Sequence, residues 1–274
     1  MRTVAIVGVG LIGGSFGLAL RKAGFQGEIV GVSSARSIAE AIDRGAVDRG
    51  ATLQEGARAA DLVFLSQPIT GILDTIRKLD GLVRRDALVT DAGSTKRVIV
   101  EEAARSKRGG TFLGGHPMAG KELRGVSAAD AELFRGRPWV LTSELEDHPV
   151  ARVFRKWIAL FGARELVLDA ATHDRLVAWA SHLPQIASTA LASVLQERAQ
   201  DAATVAGPGL LDMTRLAMSS WELWSDIFAT NEGAVGEALD CYIAKLQGLR
   251  ASLEADFNKG AEFARSLRES ALKS

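Results

Sequence analysis

The sequence predicts an α/β protein in which a doubly wound parallel sheet precedes an all-helical part, and three observations predict it. A β-rich run, Thr3-Val4-Ala5-Ile6-Val7, feeds into Gly8-Val9-Gly10-Leu11-Ile12-Gly13-Gly14 and then into helical spacing that stops near Gly24. From there short apolar strands alternate with helices as far as Asp169, which is the pattern of parallel βαβ units. From Ala171 onward strand patterns vanish, and apolar residues recur at spacings of three and four. Residues 1–169 therefore read as a Rossmann-type doubly wound sheet, and residues 170–274 as an all-helical domain.

The first turn has the order strand, G-x-G-x-x-G, helix. Its glycines give a tight turn, close backbone approach to a pyrophosphate and close helix packing, with the helix N-terminus facing the anion. Gly8, Gly10, Leu11, Ile12 and Gly13 are thus candidate dinucleotide contacts. The second strand, Glu28–Val32, ends where an NAD site carries an acid on the ribose hydroxyls. Ser33, Ser34 and Arg36 stand there instead. Hydroxyls and a guanidinium accept a 2′-phosphate that a carboxylate would repel, so NADP is the preferred cofactor, with NAD as the other option. The same residues also read as a cap for a helix over Ile38–Arg44.

Asp61–Ser66 is a continuous apolar strand closed by Gln67-Pro68, and Ile69–Leu79 is a helix. Ala87–Asp91 is a further buried strand, followed by Ala92-Gly93-Ser94-Thr95-Lys96 and a helix over Val98–Ser106. Thr111-Phe112-Leu113 then leads into Gly114-Gly115-His116-Pro117-Met118-Ala119-Gly120. Pro117 restricts His116 to extended backbone, so its imidazole, able to accept a proton near neutral pH, sits on a stiff loop. In a doubly wound sheet the carboxyl ends of the strands open on one edge. Ser66, Gln67 and Pro68, Asp91 through Ser94, and His116 are therefore expected to line one crevice with the glycine turn. Ser94 reads equally as a helix cap, and Lys96 as a first-turn residue with no other role.

Beyond an irregular polar stretch over Lys121–Arg137 come a strand, Pro138–Thr142, a helix, Val150–Phe161, and a last strand, Glu165–Leu168. His148 looks like surface at a helix start. In the helical part Thr172 is expected to cap a helix over Asp174–Arg198, with His173 a capping or surface residue. Pro184 in its middle predicts a kink beside His182. Leu210–Met218 begins another helix carrying Arg215, and Trp221 and Trp224 share a helix face. The stripe Val235/Leu239/Tyr242/Leu246/Leu249/Leu253 predicts a long amphipathic helix packing against a second copy, hence a homodimer through the C-terminal helices.

Composition narrows the function classes. Lys+Arg and Asp+Glu balance at 33 each, leaving no field for nucleic acid or an anionic membrane. One cysteine, Cys241, excludes an intrachain disulfide and reads as a core thiol. With four histidines beside it, no metal site is expected. No apolar run reaches the roughly 18 residues that span a bilayer. A strand beginning at residue 3 leaves no room for a signal peptide, so a cytoplasmic protein is expected.

Taken together, Gly8–Gly13, Asp91-Ala92-Gly93-Ser94, Gly114–Gly120, Ser181-His182-Leu183-Pro184 and Thr214-Arg215 with Trp224 resemble the prephenate/arogenate dehydrogenase family of tyrosine biosynthesis. The resemblance covers nearly the whole chain, and the G-G-H-P-M-A-G and S-H-L-P segments carry most of its specificity. It implies an oxidative decarboxylation: hydride leaves the carbinol carbon of the ring for the nicotinamide, the ring carboxylate leaves as carbon dioxide, and the product is aromatic. It implies that His116 is the general base, with Ser94 orienting it and the nicotinamide. By the same resemblance His182, Arg215, Gln185, Lys121 and Trp224 meet the substrate in a helical substrate-binding and dimerisation domain.

Three positions depart from the family pattern. Gln185 stands where many prephenate users have a second histidine, Ser225 where an arginine follows the tryptophan, and Lys121 in place of a small hydroxylated residue. Gln185 can donate and accept, so both an amino-bearing and a keto-bearing substrate stay open. No additional regulatory domain and no fused mutase are expected. Two other readings compete: a β-hydroxyacid dehydrogenase or imine reductase, with its catalytic lysine or acid on the helical domain, and an NADPH-binding sensor without catalysis.

Overall fold

The structure, a computed structural model, describes residues 1–273 apart from Arg108, Glu122 and Glu146. The chain forms two compact units. Unit 1 comprises Met1–Asp174 and Met218–Thr230, and unit 2 comprises Arg175–Ala217 and Asn231–Ser274.

In unit 1, β1 (Thr3–Val7), α1 (Leu11–Lys22), β2 (Glu28–Val32), α2 (Ala35–Asp43), β3 (Arg49–Gly50), α3 (Leu53–Ala59), β4 (Leu62–Leu65), α4 (Ile69–Lys78), β5 (Leu88–Asp91), α5 (Arg97–Arg105) and β6 (Thr111–Leu113) follow in order. The six strands form one parallel sheet in the order β3-β2-β1-β4-β5-β6. This is the doubly wound architecture, with its strand order reversing between β1 and β4. Two segments carry no sequence signal strong enough to be expected: the two-residue β3 and α3. The latter is started by a capping box in which Thr52 and Glu55 satisfy each other's backbone N–H.

The strands after β6 leave this sheet. β7 (Gly115–Pro117) pairs antiparallel with β8 (Pro138–Leu141), which pairs parallel with β9 (Arg164–Val167); α6 (Pro149–Leu160) lies between them in sequence. His116 thus sits in a strand, opposite Val140, rather than in a loop. The extended backbone that Pro117 imposes is compatible with either, and pairing with β8 selects the strand. An aromatic cluster joins the two sheets. Phe16 of α1 stacks on Phe64 of β4 at 4.1 Å, and Trp139 of β8 lies 6.2 Å from both and 5.9 Å from Phe154 of α6. This core covers one side of the six-stranded sheet, and a second core of Val63, Leu65, Ile72, Ile76 and Val89 covers the other.

The later helices are α7 (Ala170–Val177), α8 (Leu183–Arg198), α9 (Pro208–Thr214), α10 (Trp221–Thr230) and α11 (Glu232–Lys273). Helix α7 begins earlier than expected because Asp169, not Thr172, accepts the first-turn N–H: Thr172 N donates to Asp169 Oδ1 at 2.9 Å. Between α7 and α8 the expected proline kink is a π-helical turn, Ala178–His182. A π turn pairs each carbonyl five residues on and so steps over the missing N–H of Pro184. Helix α10 belongs to unit 1: Thr70 of α4 donates from its N–H and hydroxyl to Asp226 at 3.0 and 2.8 Å. Helix α11 is interrupted at Ser252, whose backbone is non-helical. Its buried stripe holds Val235 and Ala238, and Cys241 falls to one side of it and is exposed, not a core thiol. Among the described residues no helix is long and apolar enough to cross a membrane.

Candidate active site

The β1–α1 turn is built for close approach. Gly8 has φ +94°, and a Cβ there would meet Gln67 N at 2.9 Å. A Cβ on Gly13 would lie 2.3 Å from Gly8 O and 2.5 Å from Ser66 Oγ. The Ser66 hydroxyl closes the turn by donating to Gly8 O at 2.8 Å. No side chain caps α1, whose N-cap is Gly10 with open space at its missing Cβ. A first helical turn left in this state suits a pyrophosphate, so the residues present fit a dinucleotide.

A cavity of about 510 Å³ opens beside this turn, a volume typical of small-molecule sites. Its wall combines Leu11 and Ile12 of α1 with Ser66-Gln67-Pro68 after β4, Ala92-Gly93-Ser94 after β5, and His116. The three strand ends expected to share a crevice therefore do share one. Lys121, Arg124, Ser220 and Glu222 also line it, all within unit 1. Lys121 is paired with Asp130 at 2.8 Å.

Asp91 is not part of that wall. It is wholly buried beneath it, accepting from Gly93 N at 2.8 Å and Gly115 N at 3.0 Å and pairing with Lys96 Nζ. Lys96 Nζ also donates to Gly115 O at 2.7 Å, and its side chain has no solvent exposure. Lys96 is therefore no idle first-turn residue. Burial pushes its pKa down, and the adjacent Asp91 and Asp174 carboxylates oppose that shift. The pair grips the backbone on both sides of the crevice, at Gly93 and at Gly115. Close packing makes glycine necessary at 115, where a Cβ would lie 2.6 Å from Asp91 O.

His116 is nine-tenths buried, and its Nδ1 lies 2.8 Å from Nε2 of His173. His173 has no exposure, and its Nδ1 lies 2.8 Å from Asp174 Oδ1. The expectation of a capping or surface histidine is corrected: the cap of α5 is Asp174, which accepts from Lys96 N at 2.7 Å and Arg97 N at 2.9 Å. Neither Ser94 nor Lys96 performs that role with its side chain. Burial pushes the Asp174 carboxyl up, but the hydrogen bonds from His173, Lys96 N and Arg97 N outweigh it and hold the pKa below the usual carboxylate range. Sequence reasoning missed Lys96, His173 and Asp174. The one available signal was a histidine beside an aspartate, and that pairing is ordinary at a helix start.

The remaining candidates lie elsewhere. Ser34 caps α2 by accepting from Ser37 N at 3.2 Å, while Ser33 and Arg36 are exposed at the carboxyl end of β2. Trp224 does not line the cavity; it packs on the second core of unit 1, 5.4 Å from Phe228. In unit 2, His182 is buried in the π turn, where its Nδ1 accepts from Asn231 Nδ2 at 3.3 Å. Gln185 is buried, and its Nε2 donates to Leu216 O at 2.8 Å, while no described residue partners its Oε1. Arg215 is exposed where α9 passes into a 3₁₀ turn.

Comparison with known proteins gives two family matches. "Prephenate dehydrogenase, nucleotide-binding domain" matches residues 16–165, and "Prephenate dehydrogenase, dimerization domain" matches residues 169–269. The prephenate dehydrogenase of Lactococcus lactis subsp. cremoris is 35% identical over 237 residues, covering 84% of this chain and 65% of that protein. The chain thus spans just under two thirds of that relative's length. Prephenate dehydrogenase from A. aeolicus, solved in complex with hydroxyphenyl propionate and NAD+, is 30% identical with a TM-score of 0.85, covering 100% and 98% of the two chains. Synechocystis arogenate dehydrogenase is 32% identical with a TM-score of 0.77, covering 98% and 97%.

Proposed function

The chain belongs to the prephenate dehydrogenase family, and from that premise we propose that it oxidises and decarboxylates a cyclohexadienyl substrate, prephenate or arogenate, using a nicotinamide cofactor. The observation that carries the proposal is the position of His116, in the wall of the same cavity as Leu11 and Ile12 of the dinucleotide turn and as Ser94. A base at hydrogen-bond reach is what a carbinol carbon needs in order to lose hydride, because the hydroxyl proton must leave as C=O forms.

The glycine turn of Gly8, Gly10 and Gly13 and the first residues of α1, Leu11 and Ile12, hold the pyrophosphate. When bound, the nicotinamide accepts the hydride. Ser66, Gln67 and Pro68 bound the nicotinamide side of the cavity, and Asp91 supports that wall from beneath. His116 takes the hydroxyl proton, and Ser94 orients it. Arg215, with a planar fork suited to a carboxylate, and His182 bind the substrate's anionic groups, aided by Lys121. Aromatisation drives the decarboxylation, so the protein's task is positioning and exclusion of water.

One observation favours arogenate. With Gln185 Nε2 donating to a backbone carbonyl, the amide orientation is fixed and Oε1 remains as an acceptor only. An ammonium group can donate to it; a keto oxygen cannot. The preferred cofactor is NADP, with Ser33, Ser34 and Arg36 around the 2′-phosphate.

The test is cofactor reduction measured with each substrate and each cofactor, for the parent and for His116→Ala. The variant is expected to bind NADPH normally and to lose turnover by at least about a hundredfold. Near-parental turnover would remove His116 from the reaction. Cofactor binding without turnover by the parent on either substrate would favour a non-catalytic sensor.

A further inference from the structure

Neither His173 nor Asp174 lines the cavity, yet both are buried and both are connected to the histidine that does. We propose that His173 and Asp174 are positioning residues that fix the tautomer of His116, so that its lone pair lies on Nε2. The proposal rests on the reading of His116 as the base and deepens it.

Asp174 accepts from the N–H groups of Lys96 and Arg97, which anchor its carboxylate at the N-terminus of α5. An ionised carboxylate offers only acceptors, so the 2.8 Å contact obliges His173 Nδ1 to be the donor. A neutral His173 then keeps its lone pair on Nε2. That nitrogen is 2.8 Å from His116 Nδ1, so His116 Nδ1 carries a proton and donates it. A neutral His116 is left with its lone pair on Nε2.

The opposite assignment defeats the chemistry. If His173 donated from Nε2 to His116 Nδ1, the His116 proton would sit on Nε2, and that nitrogen could take no second one. In the reactive tautomer the step balances. The hydroxyl O–H bond breaks and an Nε2–H bond forms on His116. The O–H electron pair becomes the second C–O bond, and the C–H pair leaves as hydride, for which the nicotinamide of the proposed reaction would be the acceptor. The resulting imidazolium keeps its Nδ1–H bond to His173, with Asp174 as the nearest negative charge along the same line of contacts.

Two measurements on the protein test this. In 15N-histidine-labelled protein near pH 8, His116 is identified by the resonances lost in His116→Gln. Its Nε2 is expected at the unprotonated, pyridine-type position and its Nδ1 at the protonated, pyrrole-type position. The reverse pattern would overturn the proposal, and it reads out with no substrate present. The second measurement uses two variants. Gln in place of His173 puts an amide oxygen near the former Nε2, where it accepts from His116; Asn puts its amide near the former Nδ1, reaching only Asp174. His173→Asn is expected to lower kcat by about a hundredfold with the cofactor KM within about twofold, and His173→Gln to recover to within about tenfold of the parent. Equal losses in both variants, or parental rates in both, would mean that His173 only packs. If His173→Asn does not fold, the tautomer measurement decides alone. If the parent turns over neither prephenate nor arogenate, the proposed function fails, while the tautomer result still stands or falls by itself.

Discussion

Lys96 and Asp91 form an ion pair with no solvent exposure on either side chain. Removing two charges from water is costly, and the cost is recovered only where the remaining donors and acceptors are satisfied. Here they are: Asp91 also accepts from Gly93 and Gly115, and Lys96 also donates to Gly115 O. Lys96→Met would strand the carboxylate, and urea unfolding is expected to show a loss of about 3–5 kcal/mol. The double variant Lys96→Met/Asp91→Asn, which carries no stranded charge, is expected to lose less. A single-variant loss below about 1 kcal/mol would place this pair with exposed ones. At this scale the sequence was legible for Ser94, just past the carboxyl end of β5, and for the presence of His116 in the same cavity wall, although His116 reaches it from β7 rather than from a loop. It was not legible for Lys96, His173 or Asp174. Their burial depends on a contact between residues 78 positions apart, Lys96 N to Asp174, and at a helix start an exposed side chain is the default.

At the scale of elements, the turns after β1 and β2 are proposed to divide the work of holding a dinucleotide. The first is dictated by close packing. Besides the crowding at Gly13, a Cβ on Gly17 would lie 2.0 Å from Ala46 O, so α1 tolerates only glycine on that face. The second is a polar turn in which Ser34 already caps α2 while Ser33 and Arg36 face solvent. Ser33→Asp places a carboxylate where a 2′-phosphate would bind, and it is expected to shift the NADP-to-NAD ratio of kcat/KM toward NAD by at least about tenfold. An unchanged ratio would refute the phosphate pocket. Apart from β3 and α3, the strands and helices of the sheet were readable because their apolar runs are continuous and their boundaries are marked by Gly, Pro and Asp. The second sheet was not, since pairing partners are not written into short runs such as Gly115–Pro117.

For the molecule as a whole, the C-terminal helix leaves apolar surface bare: Leu253 is 56% exposed, Phe257 76% and Phe263 70%. Surface of this kind marks association sites, and residues 169–269 match a dimerization domain. A homodimer through these helices is the proposal. Sedimentation at micromolar concentration is expected to show a dimer for the parent and a monomer for Leu253→Glu/Phe257→Glu; a monomeric parent would rule the dimer out. The sequence by itself determined the doubly wound sheet, the dinucleotide turn, the helical second half and the histidine at the sheet edge. All of these are set by local periodicity and by glycines that only one kind of turn requires. Only the tertiary structure decided that α10 joins unit 1, that Lys96 lies buried on Asp91, and that His173 and Asp174 stand behind His116. Those outcomes depend on which distant groups meet when the chain closes up, and a buried polar side chain takes its partner from tertiary packing rather than from its neighbours in sequence.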